Sequence, residues 1–293
     1  MFKRFPFLGA GLLALSLLAP GAHVFAQQDG MQGVQADAAA TDWRRLLQVT
    51  SIERMVRELP IYFRQGLDQA RAQGAVMPPE VEAALKAAAD EVFGFEGLQQ
   101  AVTAHLQASL SAEQLADWLG FYATPLGRKL TAADEHAASP AFQREMMERA
   151  PQIMETLSQD ASRMALLQSW LQATDAVEQA TNMALQSQLA LEWGLISTLP
   201  QGTARPSFDE VQSHMNAQRF AMRAQMAQML LVHSAAAYQE FDTEELGQLL
   251  KRANSPAGRA LYIEFGTRFY QTLAALSEVV GEAAGRRLGQ RPV

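Results

Sequence analysis

Residues 110–130 read LSAEQLADWLGFYATPLGRKL, and residues 241–261 read FDTEELGQLLKRANSPAGRAL. The two stretches align at a constant offset of 131 without a gap. Seven pairs are identical: Glu113/Glu244, Leu115/Leu246, Leu119/Leu250, Pro125/Pro256, Gly127/Gly258, Arg128/Arg259 and Leu130/Leu261. Unrelated sequence gives roughly one or two matches in such a window, so internal duplication is the economical reading. Each copy predicts a helical corner. Leu115, Trp118, Leu119 and Tyr122 recur at helical spacing, as do Leu246, Leu249, Leu250 and Ala253, which gives one apolar face to a short helix. Ser111 with Gln114, and Asp242 with Glu245, have the spacing of a capping box. Thr124-Pro125 and Ser255-Pro256 then restart the chain, because the hydroxyl caps a new helix and proline at its first position loses no hydrogen bond. Gly127 and Gly258 fall in the first turn, where a missing side chain lets another backbone come close. Arg128 and Arg259 follow, placed to bind an anionic group or to tie loops together through carboxylates.

Outward from the corners, the chain reads as helix from Asp42 onward. It is rich in Ala, Leu, Gln, Glu, Arg and Met and has no alternating β-branched stretch. Pro60 is expected to kink or end a helix begun near Asp42, and Gly74 with Pro78-Pro79 separates the next pair. A helix is predicted at about 98–109. Ser207 with Glu210 opens a long one at about 208–239, after a loop at 201–207, and the tail 286–293 is expected to fray. LLQ at 46–48 recurs at 166–168, an offset of 120. Each half is therefore expected to begin with a helix before its corner, with about eleven extra residues in the second half. The fold class expected is all-α, a bundle of about ten helices built from two related halves, 42–160 and 161–293, packed as one body.

Residues 1–26 have the form of an export signal. Lys3 and Arg4 precede an apolar run at 5–19, Pro20-Gly21 breaks it, and Val24-Phe25-Ala26 offers a cleavage site near Ala26. The run is shorter than the ~20 residues a spanning helix needs. A periplasmic or secreted protein is expected, with no membrane insertion after signal removal and a flexible leader at 27–41. The chain has no cysteine, which excludes disulfides and thiolate chemistry. Its formal net charge is −7, and removing Lys3 and Arg4 with the signal makes it −9. An acidic chain without basic runs is a poor match for nucleic acid.

At FYATPLGRKL the sequence resembles a family of exported bacterial proteins, domain of unknown function 2059. The matching features are Glu113, Leu115, Phe121-Tyr122, Thr124-Pro125, Gly127 and Arg128. The resemblance covers about 95–160. A diverged second copy is expected at about 226–285, which keeps Ser255-Pro256-Ala257-Gly258-Arg259 but has Arg252-Ala253 where the aromatic pair should be. The resemblance implies a helical, exported protein and no particular activity.

Motifs for catalysis are missing: there is no HExxH, GxSxG, SxxK or phosphate-loop pattern. No catalytic, cofactor-binding or metal-ligating residue is assigned, and no cofactor is expected. The function expected is a non-catalytic binding or scaffold module for a protein partner or a small apolar ligand. Trp118, Phe121 and Tyr122 would line a groove or form core between the corner and its neighbours. One alternative is a periplasmic hydrolase. Another is a copper carrier using Met215, Met222, Met226 and Met229 with His233, since thioethers and imidazole suit Cu(I); core packing explains the same stripe. Asp134-Glu135-His136 reads as a solvated face. The sequence does not specify the oligomeric state.

Overall fold

The computed structural model describes residues 34–72, 77–198 and 206–289. All of the described secondary structure is helical: α1 (Val34–Val49), α2 (Ile52–Ala72), α3 (Pro79–Val92), α4 (Phe95–Ser109), α5 (Ala112–Tyr122), α6 (Pro125–Ala137), α7 (Pro140–Ser158), α8 (Ala161–Ala173), α9 (Ala176–Ser197), α10 (Phe208–Ala237), α11 (Thr243–Ala253), α12 (Pro256–Arg259) and α13 (Gly266–Gly289). A π-helical segment, Ala260–Phe265, joins α12 to α13 without a break, because Ala260 and Gly266 both keep helical backbone angles. The signal at 1–26, Gly74 and most of the 201–207 loop lie outside the described residues.

The expected boundaries hold where caps mark them. Ser111, Ser207 and Asp242 each accept from the backbone N–H three residues on, while the side chain there returns the bond, so all three capping boxes form. Three expectations are corrected. The leader was expected to run to residue 41, but α1 begins at Val34, consistent with the high helix propensity of its alanine-rich start. Pro60 was expected to kink or end a helix begun near Asp42; that helix breaks earlier, at Thr50-Ser51, and Pro60 lies inside the next one, α2, without ending it. At the C-terminus helix continues through Gly289.

One apolar core runs from Trp43 to Ala284 and so draws on both halves of the chain. Its spine is the pair α9–α13. A Cβ on Gly194 would lie 2.3 Å from the Glu278 carbonyl oxygen, and one on Gly281 would lie 2.2 Å from that of Leu191. Only glycine permits this backbone-on-backbone approach. α13 also packs along α3, and α10 packs against α9 and α7. Met215, Met222 and Met226 lie in this core, and Met229 packs against it half-buried. The methionine stripe therefore faces protein, as gap-filling thioethers do, and does not present the exposed sulfurs that a metal carrier needs.

Candidate functional site

The two corners have the same local construction. Thr124 Oγ1 accepts from the Gly127 N–H at 3.0 Å, and Ser255 Oγ accepts from the Gly258 N–H at 3.0 Å. In each, the new helix starts against the end of the old one. A Cβ on Gly127 would lie 2.1 Å from the Phe121 carbonyl oxygen and 2.5 Å from Tyr122 Cα; on Gly258 it would lie 2.2 Å from the Arg252 oxygen and 2.4 Å from that of Ala253. Pro125 and Pro256 occupy the first helical turn. Arg128 is exposed and donates to the Ala123 carbonyl, closing its own corner. Arg259 is exposed.

Where the corners differ in sequence, they fit each other. Trp118, with 0 % exposure, donates from Nε1 to the Ala257 carbonyl at 2.9 Å. Arg252 stands where the first corner has Phe121. Its guanidinium lies 4.2 Å from the Trp118 ring and 4.4 Å from the Phe121 ring, and it bonds Asp117 Oδ2 at 2.8 Å. Trp118 is thus core and carries no groove. Phe121 is half-buried, and Tyr122 is buried and faces a cavity.

That cavity, of about 250 Å³, lies where both corners meet two helix breaks. The first break is Thr50-Ser51, between α1 and α2. The second is Thr174-Asp175, between α8 and α9. Ser51 and Asp175 are the two non-glycine residues with left-handed backbone among those described, at φ 61° and 53°. Each follows a threonine that bonds back to the helix it ends: Thr50 Oγ1 to the Leu46 carbonyl at 2.6 Å, Thr174 Oγ1 to that of Trp170 at 2.9 Å. Leu47-Gln48-Val49-Thr50-Ser51 therefore corresponds in geometry to Leu171-Gln172-Ala173-Thr174-Asp175, an offset of 124. This corrects the expected pairing of the LLQ triplets at offset 120; a three-residue identity is too short to fix register. The two breaks lie 124 residues apart and the two corners 131, a difference of seven.

The exit helices of the two corners supply facing walls. α6 contributes Leu130 and Asp134; their counterparts at offset 131, Leu261 and Phe265, come from the π segment with Tyr262. The π turn leaves the Tyr262 carbonyl without its usual partner along the helix. Gln179 Nε2 donates to it at 2.8 Å, and Gly266 makes room, because a Cβ there would lie 2.2 Å from Gln179 Oε1. Trp170 stands at 87° to the Tyr238 ring and 74° to the Tyr262 ring.

The polar end of the cavity is built around Asp134, which accepts from the Tyr238 hydroxyl at 3.1 Å. Burial pushes its carboxyl up to about 7; the Tyr238 hydrogen bond opposes this and the Glu135 charge adds to it. Burial likewise raises the Tyr122, Tyr238 and Tyr262 phenols, and a hydrogen bond joins Tyr122 to Tyr262. His233 is pushed down to about 4 by burial, so its ring is neutral. Ser51 is 1 % exposed, and its Oγ has no hydrogen-bond partner. The reading of 134–136 as a solvated face is corrected for Asp134. The signal was present: Asp134 follows Leu130 by one turn and occupies a core phase.

A second hollow of about 380 Å³ lies between α7, α8 and α10. Several of its polar groups are paired. Glu145 pairs with Arg149 at 2.6 Å, and Arg163 donates to the Phe241 carbonyl at 2.7 Å and to that of Tyr238. A hydroxyl–imidazole contact joins Thr272 to His105 at 2.7 Å. Thr272 also donates to the Arg268 carbonyl at 3.1 Å. Among the described residues no group of three His, Asp or Glu side chains could hold a metal ion, and no helix is long and apolar enough to cross a membrane.

Residues 96–160 match a family described as an uncharacterized protein conserved in bacteria (DUF2059). The match covers α4 to α7 and thus the first corner; the second corner is not part of it. No curated protein and no solved structure matches the chain.

Proposed function

We propose that this is an exported, non-catalytic binding protein that holds a small molecule in the cavity between its two corners. The ligand has an apolar body and one hydrogen-bonding end. The observation that carries this reading is the cavity's mixed lining, mostly apolar with a few polar groups. Leu130, Leu230, Leu261 and Phe269 are among the apolar residues, and Asp134, hydrogen-bonded by Tyr238, is among the polar ones. Ligand sites are mostly apolar with a few placed polar groups. An apolar cavity of about 150 Å³ holds benzene, so this one has room for a substituted ring or a short chain. The duplication fits the same reading: two copies of a break-and-corner unit enclose one site, with residues 42–160 and 161–293 as the related halves. Cleavage near Ala26 would release the protein into the periplasm or medium.

The test is titration of the purified protein with 2-phenylethanol and 1-octanol, followed by Trp170 fluorescence and calorimetry. Saturable binding tighter than about 1 mM (roughly −4 kcal/mol) is expected. Leu230→Trp, which fills the cavity, is expected to abolish it while far-ultraviolet circular dichroism is unchanged. If neither alcohol saturates, or if the filled variant binds as well as the parent, the reading fails.

A further inference from the structure

We infer that the ligand of this cavity is an organic ammonium ion with a small apolar body, its charge seated against Asp134 among the rings of Tyr122, Trp170, Tyr238 and Tyr262. The inference deepens the proposed function and rests on the cavity being a ligand site.

Asp134 is a half-buried carboxylate that lines the cavity. No Lys or Arg lines the cavity among the described residues. Arg252 is the cation whose charge reaches the Tyr122 and Tyr262 hydroxyls. It is committed to Asp117 and to the Trp118 and Phe121 rings. What faces Asp134 is neutral: Tyr122 from α5, Tyr238 from α10 and Tyr262 from the π segment, with His233 of α10 in the same cavity. The other charge acting on it is Glu135, an anion. A carboxylate partly withdrawn from water either takes a proton or gains from a paired cation, and a ligand ammonium would supply that cation.

The rings point to the same class. Trp170 stands edge-on to both Tyr238 and Tyr262, at 87° and 74°, and all three rings line the cavity. Aromatic enclosures of this kind attract ammonium groups through the ring quadrupole. The wall beyond, with Ile52, Leu230 and Phe269, suits a hydrocarbon body.

The experiment compares 2-phenylethylammonium with its neutral isostere 2-phenylethanol on the mature protein, by calorimetry near pH 8 and near pH 5. The amine stays protonated at both values, since such groups lose their proton near pH 10. Within that window Asp134 is the cavity group that changes charge, because the His233 ring and the tyrosines remain neutral. The amine is expected to bind at least about tenfold more tightly near pH 8 than near pH 5, the factor given by one unit of pKa. The alcohol is expected to change little. Asp134→Asn should remove the preference for the amine and keep the alcohol. Tyr238→Phe removes a hydrogen bond to the carboxylate and should move the midpoint of the amine's pH profile upward; it also keeps the test decisive if the Asn variant does not fold. Equal binding of amine and alcohol near pH 8, or an amine preference that survives Asp134→Asn, overturns the inference and leaves the proposed cavity standing. Binding of neither compound overturns the cavity reading itself.

Discussion

The first corner, from Ser111 to Ala137, and the second, from Asp242 to Phe265, turn the chain in the same way and do different things with the turn. Both use a capping box, a hydroxyl–proline restart and a glycine pressed on the preceding backbone. Past that point they diverge. α6 stays α-helical and brings Asp134 to the cavity. Its counterpart widens into a π turn and brings Phe265, with Tyr262 opposite Thr131 in the alignment. Tyr122 becomes Ala253, and Phe121 becomes the Arg252 that covers it. The shared prolines and glycines shape the turn, and the shared Leu130 and Leu261 both line the cavity. The unlike pairs Asp134/Phe265 and Phe121/Arg252 face the cavity and the other corner. Strong backbone constraints fix residues one by one, whereas a surface between two corners of like build can differ on its two sides.

The largest test of this comparison is at the glycines. Gly127→Ala and Gly258→Ala each drive a Cβ to about 2 Å from a carbonyl oxygen. Backbone cannot give way as a side-chain end can, so each is expected to destabilise by about 3 kcal/mol, at the upper end of overpacking costs. Chemical denaturation of both variants checks this. A neutral Gly258→Ala beside a damaging Gly127→Ala would mean that the corners are alike in sequence only.

The next effect belongs to the first corner alone. Asp134 has its folded pKa raised to about 7 from 3.8, so the folded state holds a proton that the unfolded chain has released. Its contribution therefore falls as pH rises from about 4 to about 7. His233 runs the other way: its folded pKa is lowered to about 4 from 6.5, so its contribution falls as pH drops through the same window. The two oppose each other, and the parent protein is expected to have a flat stability profile between about pH 4 and pH 6.5. Asp134→Asn should leave the His233 slope exposed, with stability rising with pH, and should add about 2 kcal/mol near pH 8 by removing an enclosed charge. His233→Gln should expose the opposite slope. Denaturation midpoints across pH decide it; a flat profile in either variant would show that these two groups do not carry the balance.

The fold was largely legible because its signals are local. Capping boxes at Ser111, Ser207 and Asp242 and the restarts at Thr124-Pro125 and Ser255-Pro256 depend on neighbours within four residues. The site was less legible because its parts come from distant segments. Gln179 matters for a carbonyl at Tyr262, 83 residues away, and no local pattern announces a π turn. Ser51 adopts a left-handed backbone that glycine, asparagine or aspartate would have signalled. Trp118, Phe121 and Tyr122 stood out as a possible groove, but neighbours alone do not say that an arginine of the other corner covers two of them. Asp134 was within reach, since its phase on α6 matches Leu130. Its neighbours Glu135 and His136, pointing elsewhere around the helix, mask that phase.

The smallest effect probes the contact between the corners directly. Arg252 lies 4.4 Å from the Phe121 ring and replaces, in the second corner, the residue that Phe121 is in the first. Its exposed ion pair with Asp117 is worth little by itself; the stacking of a planar guanidinium on rings is the part specific to arginine. A double-mutant cycle of Phe121→Leu and Arg252→Met should give a coupling of about 0.5–1 kcal/mol, and Arg252→Lys should recover less than half of it, because an ammonium keeps the charge and loses the plane. If the cycle gives no coupling, Arg252 is only a spacer over Trp118, and the second corner's departure from the aromatic pair reflects lost constraint instead of a fit between the copies.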